Sequence, residues 1–436
     1  MTVSVAIIGA GPSGFYTADV LLKTGQSYEI DIVDRIPAPY GLIRYGVAPD
    51  HQTTKNVSRA FEKTATREEV QYFGNVELGR DITLSELKSL YDVVVLAVGA
   101  RLDKRLGIPG EDLDGVYGSV EFVNWYNGHP DCWNLAPDLG ATDAVVVGNG
   151  NVAIDVARVL VKTVEEMAHS DLPDYAVRAI QDSPLTDVHM CGRRGPVEAK
   201  FTNVELREMG ELEICAPVVD PGILPDEVGG DWSDRDRRLR EKNLRTLRGF
   251  TEMDPEAKAK RVHFRFFSSP VEILGDGRVE AVKFERTRLE EGRTVGTGEH
   301  FEISCGLVVA AVGSRSEAVD GVPFDDKQGI VVNQDGWVED NVYAVGWVMR
   351  GSTGVISTNR NDAVAVVGQI VENIREGGKP GRAGFESLLA ERRIRRVSFD
   401  DWKSIEAIEI ANAPRGAPRR KFVSVDEMLG ALSQDG

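Results

Sequence analysis

Two glycine turns, and the charged residues that follow each, are where this 436-residue chain can do chemistry. Gly9-Ala10-Gly11-Pro12-Ser13-Gly14 comes straight after a valine- and isoleucine-rich run and opens a helical pattern. In that setting the first glycine permits a tight turn, and the second lets the backbone approach a pyrophosphate. The third brings helix and strand close, and the phosphates sit at the helix N-terminus. Asp34 lies twenty residues past Gly14, at the end of the next strand, where a carboxylate can bind an adenosine ribose. The second turn, Gly148-Asn149-Gly150-Asn151-Val152-Ala153, is the same device with alanine third. Its next strand ends in Arg193 and Arg194 instead of an acid. A carboxylate there would repel a 2′-phosphate, whereas guanidinium groups grip one through paired hydrogen bonds. At roughly 1.5–3 kcal/mol for each hydrogen bond to a charged group, two arginines favour NADP over NAD by about two to four orders of magnitude. One site thus suits an adenine dinucleotide with a free ribose hydroxyl, and the other suits NADP. A chain holding both reads most simply as a flavoprotein, FAD first and NADP(H) second, with hydride passing between the two rings.

The elements that must position these residues follow from periodicity. Residues 3–8, 28–33 and 92–98 read as buried parallel strands, with a helix from the first turn to about residue 23. Gly107-Ile108-Pro109-Gly110-Glu111-Asp112 reads as a linker. A second strand–turn–helix unit begins at residues 144–147, and a further strand spans 187–190. Residues 268–312 alternate apolar and polar side chains and end on a strand at 307–312. A glycine-bearing turn after Trp347 leads into a helix from about Asn361, and the last fifty residues read as helices joined by an extended arm. The expectation is an α/β protein with two Rossmann-like dinucleotide-binding domains.

Composition narrows the class. With 42% hydrophobic and 28% charged residues, the chain is an ordinary globular one. Fifty-one basic against 69 acidic residues leave a net charge of −18, which argues against nucleic acid or an anionic membrane as the main partner. No apolar run approaches the roughly 18 residues of a membrane-spanning helix. The four cysteines, Cys132, Cys191, Cys215 and Cys305, form neither a disulfide framework nor a CxxC pair. That excludes dithiol redox work and an iron–sulfur cluster held in this chain. No targeting peptide is seen, and the expected compartment is the cytoplasm.

At this point longer stretches matter more than either turn. Tyr40 through His51, reading YGLIRYGVAPDH, and Gly346 through Ile356, reading GWVMRGSTGVI, are far more specific. With GNGNVAIDVAR from Gly148, Gly192-Arg193-Arg194-Gly195, Phe201-Thr202 to Glu205-Leu206-Arg207-Glu208, and Val397-Ser398-Phe399 before Asp401-Trp402, the chain resembles the adrenodoxin reductase type of ferredoxin–NADP⁺ reductase over nearly its whole length. Gly346-Trp347 stands where wider relatives have Gly-Asp, and this branch carries the tryptophan.

The resemblance implies that the NADP domain is inserted into a discontinuous FAD domain. The first part of the FAD domain would be residues 1–106, the NADP(H) domain 107–320, and the second FAD part, with its helical and extended tail, 321–436. It implies that Gly41, Leu42 and Val47 lie against FAD, with Trp347 and the backbone of Gly354, Val355 and Ile356 by the isoalloxazine. Leu42 and Val47 read equally well as plain core. Asn151 and Val152 would hold the NADP pyrophosphate, Arg193 and Arg194 the 2′-phosphate, and Glu205 the nicotinamide end. His51 and Asp155 would handle the proton released as electrons leave singly; no metal is implied.

Within the acidic chain, residues 235–248 stand out as basic. On a helix Arg235, Arg238, Lys242 and Arg245 fall on one side. Such a face steers an acidic ferredoxin-type iron–sulfur protein, as the corresponding region does in the family, although a solvated charge run is the plain alternative. The expected function is electron transfer from NADPH through FAD to ferredoxin, one electron at a time, for a cytochrome P450 or another oxygenase, by a monomer. Three rivals remain: a flavin module of glutamate synthase type, a flavin monooxygenase, and a non-catalytic NADP(H) sensor.

Overall fold

The run Val3–Ile8 is buried at every position, because it lies inside a parallel sheet covered on both faces. Its odd residues Val3, Val5 and Ile7 join one apolar cluster, and Ala6 and Ile8 join another on the opposite face. The six-stranded sheet runs, in spatial order, Trp337–Glu339, Val342–Ala344, Val93–Leu96, Val3–Ile8, Tyr28–Val33 and Val70–Phe73. All neighbours are parallel except the edge strand Trp337–Glu339. Helices Pro12–Leu22 and Thr358–Asn373 supply buried residues to the first of these clusters.

This sheet belongs to one of two compact units in a computed structural model that describes residues 2–374 and 377–433. The first unit comprises Met1–Leu102, Asn127–Trp133 and Ser314–Gly436, and the second Asp103–Tyr126 and Asn134–Gly313. The chain therefore leaves the first unit at residue 102, a few residues before the expected 106, and returns at 314 instead of 321. The short return at Asn127–Trp133 has no counterpart in the sequence reading.

The second unit carries its own six-stranded parallel sheet. The order is Val116–Gly118, Leu307–Ala310, Asp143–Val147, Asp187–Cys191, Lys260–Arg265 and Cys215–Val219. The antiparallel strands Ser268–Leu274, Ala281–Glu290 and Arg293–Ser304 form a separate sheet, the source of the alternating pattern at 268–312. One expectation is corrected here: residues 107–112 are no linker. Ile108 packs against the core made with Ile273 and Phe284, the Ile273 amide donates to the Pro109 carbonyl at 2.9 Å, and a Cβ on Gly110 would stand 2.0 Å from the Ile273 carbonyl oxygen. Glycine and proline mark this segment because it turns sharply against a sheet.

Candidate functional site

The first glycine turn is built by packing at its ends and left bare in the middle. A Cβ on Gly9 (φ +118°) would meet the Ala97 carbonyl oxygen at 2.4 Å, and one on Gly14 would meet the Gly9 carbonyl oxygen at 2.0 Å. On Gly11 it would meet only the Gly41 Cα, at 4.0 Å. Pro12 starts the helix, and Gly11 at its N-cap supplies no side-chain partner for the first amides. Ser13 turns away and donates to Asn359 Oδ1 at 3.2 Å, in space that a side chain on Gly346 would fill. Asp34 braces the turn, accepting from the Ala10 amide at 2.7 Å and the Ile36 amide at 3.0 Å. Burial raises its pKa against the pull of those two amides. Each oxygen keeps a second lone pair for another donor.

Tyr40 and Gly41 both lie at positive φ, +83° and +47°, a costly conformation for an aromatic residue. The Tyr40 amide donates to the Ala10 carbonyl, so this kink lays Gly41 on the first turn. Leu42 is 39% exposed and therefore not core, whereas Val47 is half-buried against the first cluster. His51 heads the short helix Gln52–Lys55, and its carbonyl accepts from the Thr54 and Lys55 amides. On the returning part of the chain the Trp347 indole donates to the Thr353 carbonyl at 3.1 Å. Arg350 donates to the same carbonyl and pairs with Asp362 at 2.6 Å, which pins residues 351–353 to the Thr358–Asn373 helix. Val355 is exposed, Ile356 is half-buried, and Gly354 has φ +82°.

In the second unit, a Cβ on Gly148 would stand 2.5 Å from the Ala311 carbonyl oxygen, while one on Gly150 would meet nothing within 4 Å. Asn149 holds both polar atoms of its side-chain amide buried without a hydrogen-bond partner among the described residues. The Asn151–Val161 helix begins with no side-chain cap, and Val152 is exposed at its first turn. Asn151 Oδ1 accepts from the Thr202 amide at 2.7 Å. The backbones of Arg193 and Arg194 are tied down, their carbonyls accepting from the Thr287 hydroxyl at 2.9 Å and the Phe267 amide at 3.1 Å. Both side chains are exposed, with no ion pair or hydrogen bond among the described residues.

Sequence reasoning missed Arg158. It is wholly buried and holds Asp155 at 2.8 Å, Glu205 at 3.3 Å and Glu208 at 3.6 Å. The available signal was an arginine three residues after Asp155 in an otherwise apolar helix. His51 and Asp155 lie in different units.

The Asp234–Thr251 helix carries the basic run. Arg237, Arg240 and Arg248 spend their guanidinium groups on backbone carbonyls of residues 197, 225, 226, 228 and 230. Arg235, Arg238, Lys242 and Arg245 are exposed and make no ion pair among the described residues.

The model of the pyridine nucleotide-disulphide oxidoreductase family matches residues 3–183. The chain is 41% identical over 459 residues to the mitochondrial NADPH:adrenodoxin oxidoreductase of Arabidopsis thaliana, covering 98% of this chain and 95% of that one. It is 39% identical over 447 residues to NADPH-ferredoxin reductase FprA of Mycobacterium tuberculosis, covering 98% of each. The solved structure of Mycobacterium tuberculosis FprA in complex with NADPH matches with a TM-score of 0.94 at 37% identity, over 99% of this chain and all of that one. This chain belongs to the adrenodoxin reductase-type ferredoxin–NADP⁺ reductase family.

The family is FAD-dependent and uses NADP(H), and the residues present fit both groups. For FAD the fit rests on the open backbone at Gly11, the uncapped helix N-terminus behind it and the braced Asp34 carboxylate. For NADP(H) it rests on the bare Gly150, the orphaned Asn149 amide and two unpaired arginines. Among the described residues no helix is long and apolar enough to cross a membrane.

Proposed function

We propose that this chain is an NADPH:ferredoxin oxidoreductase of the adrenodoxin reductase type. The observation that carries the reading is the pair Arg193 and Arg194, exposed and unpaired on an anchored backbone at the end of a strand whose neighbour opens the Gly148 turn. Bound FAD supplies the capacity to take a hydride from NADPH and to release the two electrons one at a time. Everything else belongs to the chain. In the first unit Gly9, Gly11 and Gly14 and the helix from Pro12 hold the FAD pyrophosphate, and Asp34 accepts from its ribose. Gly41, Leu42, Val47, Trp347 and the backbone of residues 354–356 flank the flavin, where the N-terminus of the Thr358–Asn373 helix adds positive potential.

In the second unit Gly148, Gly150, Asn151 and Val152 hold the NADP pyrophosphate, Arg193 and Arg194 its 2′-phosphate, and Glu205 its nicotinamide end. His51 and Asp155 move the proton that accompanies electron release. The domains are then an FAD domain made from both ends of the chain and an inserted NADP(H) domain. The partner is an acidic iron–sulfur protein, steered by Arg235, Arg238, Lys242 and Arg245. The enzyme works as a monomer in the cytoplasm.

Anaerobic stopped-flow mixing of the yellow protein with NADPH and then ferredoxin tests this. Rapid bleaching followed by reoxidation in one-electron steps is expected. Bleaching that only oxygen reverses would point to an oxygenase, and absence of bleaching to a nucleotide-binding protein.

A further inference from the structure

We infer that Arg158 is a positioning residue for hydride transfer, holding Glu205 and Asp155 in register with the NADP glycine turn; this rests on the nucleotide reading above. The geometry carries it. Arg158 is fully buried on the Asn151–Val161 helix, and its fork spans two helices, reaching Asp155 on its own and Glu205 and Glu208 on the Asn203–Glu208 helix. A buried guanidinium needs one carboxylate to balance its charge. This one is shared by three, whose side chains are 14%, 18% and 34% exposed, so the carboxylates reach the surface while the cation that holds them does not.

The Asn203–Glu208 helix has only six residues, too few to hold its own shape in water. Its direction is set from outside. The Lys200 amide donates to the Asn149 carbonyl at 2.8 Å, the Thr202 amide to Asn151 at 2.7 Å, and Arg158 closes the third link. Both amides find their acceptors in the glycine turn itself, one the Asn149 carbonyl and the other the Asn151 side-chain oxygen, so the carboxylates are indexed to the pyrophosphate cradle. When a nicotinamide loses a hydride, C4 gives up a hydrogen with its electron pair and the ring gains a positive charge. Carboxylates held toward that ring favour the change, provided they neither splay apart nor take up protons. Holding them so is the role of Arg158.

The test compares Arg158→Met and Arg158→Lys with the unaltered holoenzyme, using calorimetric titration with 2′,5′-ADP and NADP⁺ beside steady-state rates. The nucleotide fragment 2′,5′-ADP reports only the adenosine and 2′-phosphate contacts. Expected for Arg158→Met are 2′,5′-ADP affinity within twofold of the original, a shift in NADP⁺ affinity beyond threefold, and kcat down at least tenfold with KM changed less than threefold. Arg158→Lys should recover part of the kcat loss. Parallel loss of both affinities and of thermal stability, with kcat retained, would overturn the inference and leave Arg158 a plain core ion pair.

Should Arg158→Met not fold, Glu205→Gln and Arg158→Lys complete a cycle. A double variant no slower than the slower single is expected, and full additivity would overturn the inference. An unaltered protein that fails to bind 2′,5′-ADP would overturn the nucleotide reading itself, before any variant is made.

Discussion

Arg44 and Glu409, 365 residues apart in the chain, form a two-pronged ion pair of 3.0 and 2.5 Å that is almost sealed from water. Tyr45 and Trp402 flank the guanidinium at 5.1 and 5.0 Å, and Lys421 donates to the Arg44 carbonyl at 3.2 Å. The tail thereby clamps the Gly41–Val47 stretch proposed to lie against FAD. Glu409→Ala leaves a buried cation without its partner and should cost about 3–5 kcal/mol. Chemical denaturation would show this, together with loss of bound flavin on dialysis. The double change Arg44→Met with Glu409→Leu should cost clearly less, and equal cost would refute the clamp.

The glycines of the first turn should separate folding from binding. Gly14→Ala drives a Cβ to 2.0 Å from a backbone carbonyl, so a low yield of folded protein is expected. Gly11→Ala meets only a Cα at 4.0 Å and sits at φ −85°, a value open to alanine. It should melt like the original apoprotein yet bind FAD at least tenfold more weakly. Retained FAD affinity would remove Gly11 from the cradle.

Replacing Arg193 and Arg194 by alanine should raise KM for NADPH by about 10²–10⁴ while leaving NADH use nearly unchanged, since only the 2′-phosphate distinguishes the two. Equal losses with both nucleotides would end the assignment.

The exposed basic face makes a salt-dependent prediction. Changing Arg235, Arg238, Lys242 and Arg245 to alanine should slow association with ferredoxin about 10- to 100-fold at low ionic strength, and the gap should close as salt rises. Reduction of a small acceptor such as ferricyanide should not change. A ferredoxin rate indifferent to the substitutions would leave the face a solvated one.

His189 sets an acid limit for the second unit. It stacks on His263 with ring centroids 4.6 Å apart, lies 3.2 Å from Asp143, and accepts a hydrogen bond from Arg265 at 3.1 Å through Nδ1. Burial, with His263 and Arg265 beside it, lowers its pKa to about 4. The folded state therefore binds fewer protons than the unfolded one below pH 6.5, and stability falls as pH drops from 6.5 toward 4, by about 3 kcal/mol at the lower end. Denaturation midpoints across that window should show the slope. His189→Gln, which does not titrate, should flatten it.

Legibility tracks how local each feature is. Both glycine turns, the strands before them, the helices after them, and the placement of Asp34 and of the Arg193–Arg194 pair just past strand ends could be read from residues within one strand–turn–helix unit, because turn sterics and the 2- and 3.6-residue periods are short-range properties. The exposed basic face was legible for the same reason: three- and four-residue spacing sets a helix side. Tertiary structure alone decided which of its seven basic residues remain unpaired, because Arg237, Arg240 and Arg248 find carbonyls in residues that spacing cannot locate. It also decided that residues 107–112 pack against a sheet, that Glu409 reaches back to Arg44, and that Arg158 gathers three carboxylates from two helices. Each of these is a buried charge or close backbone contact between distant parts of the chain. A charge taken from water must find its partner wherever packing delivers one, and no local pattern encodes that place.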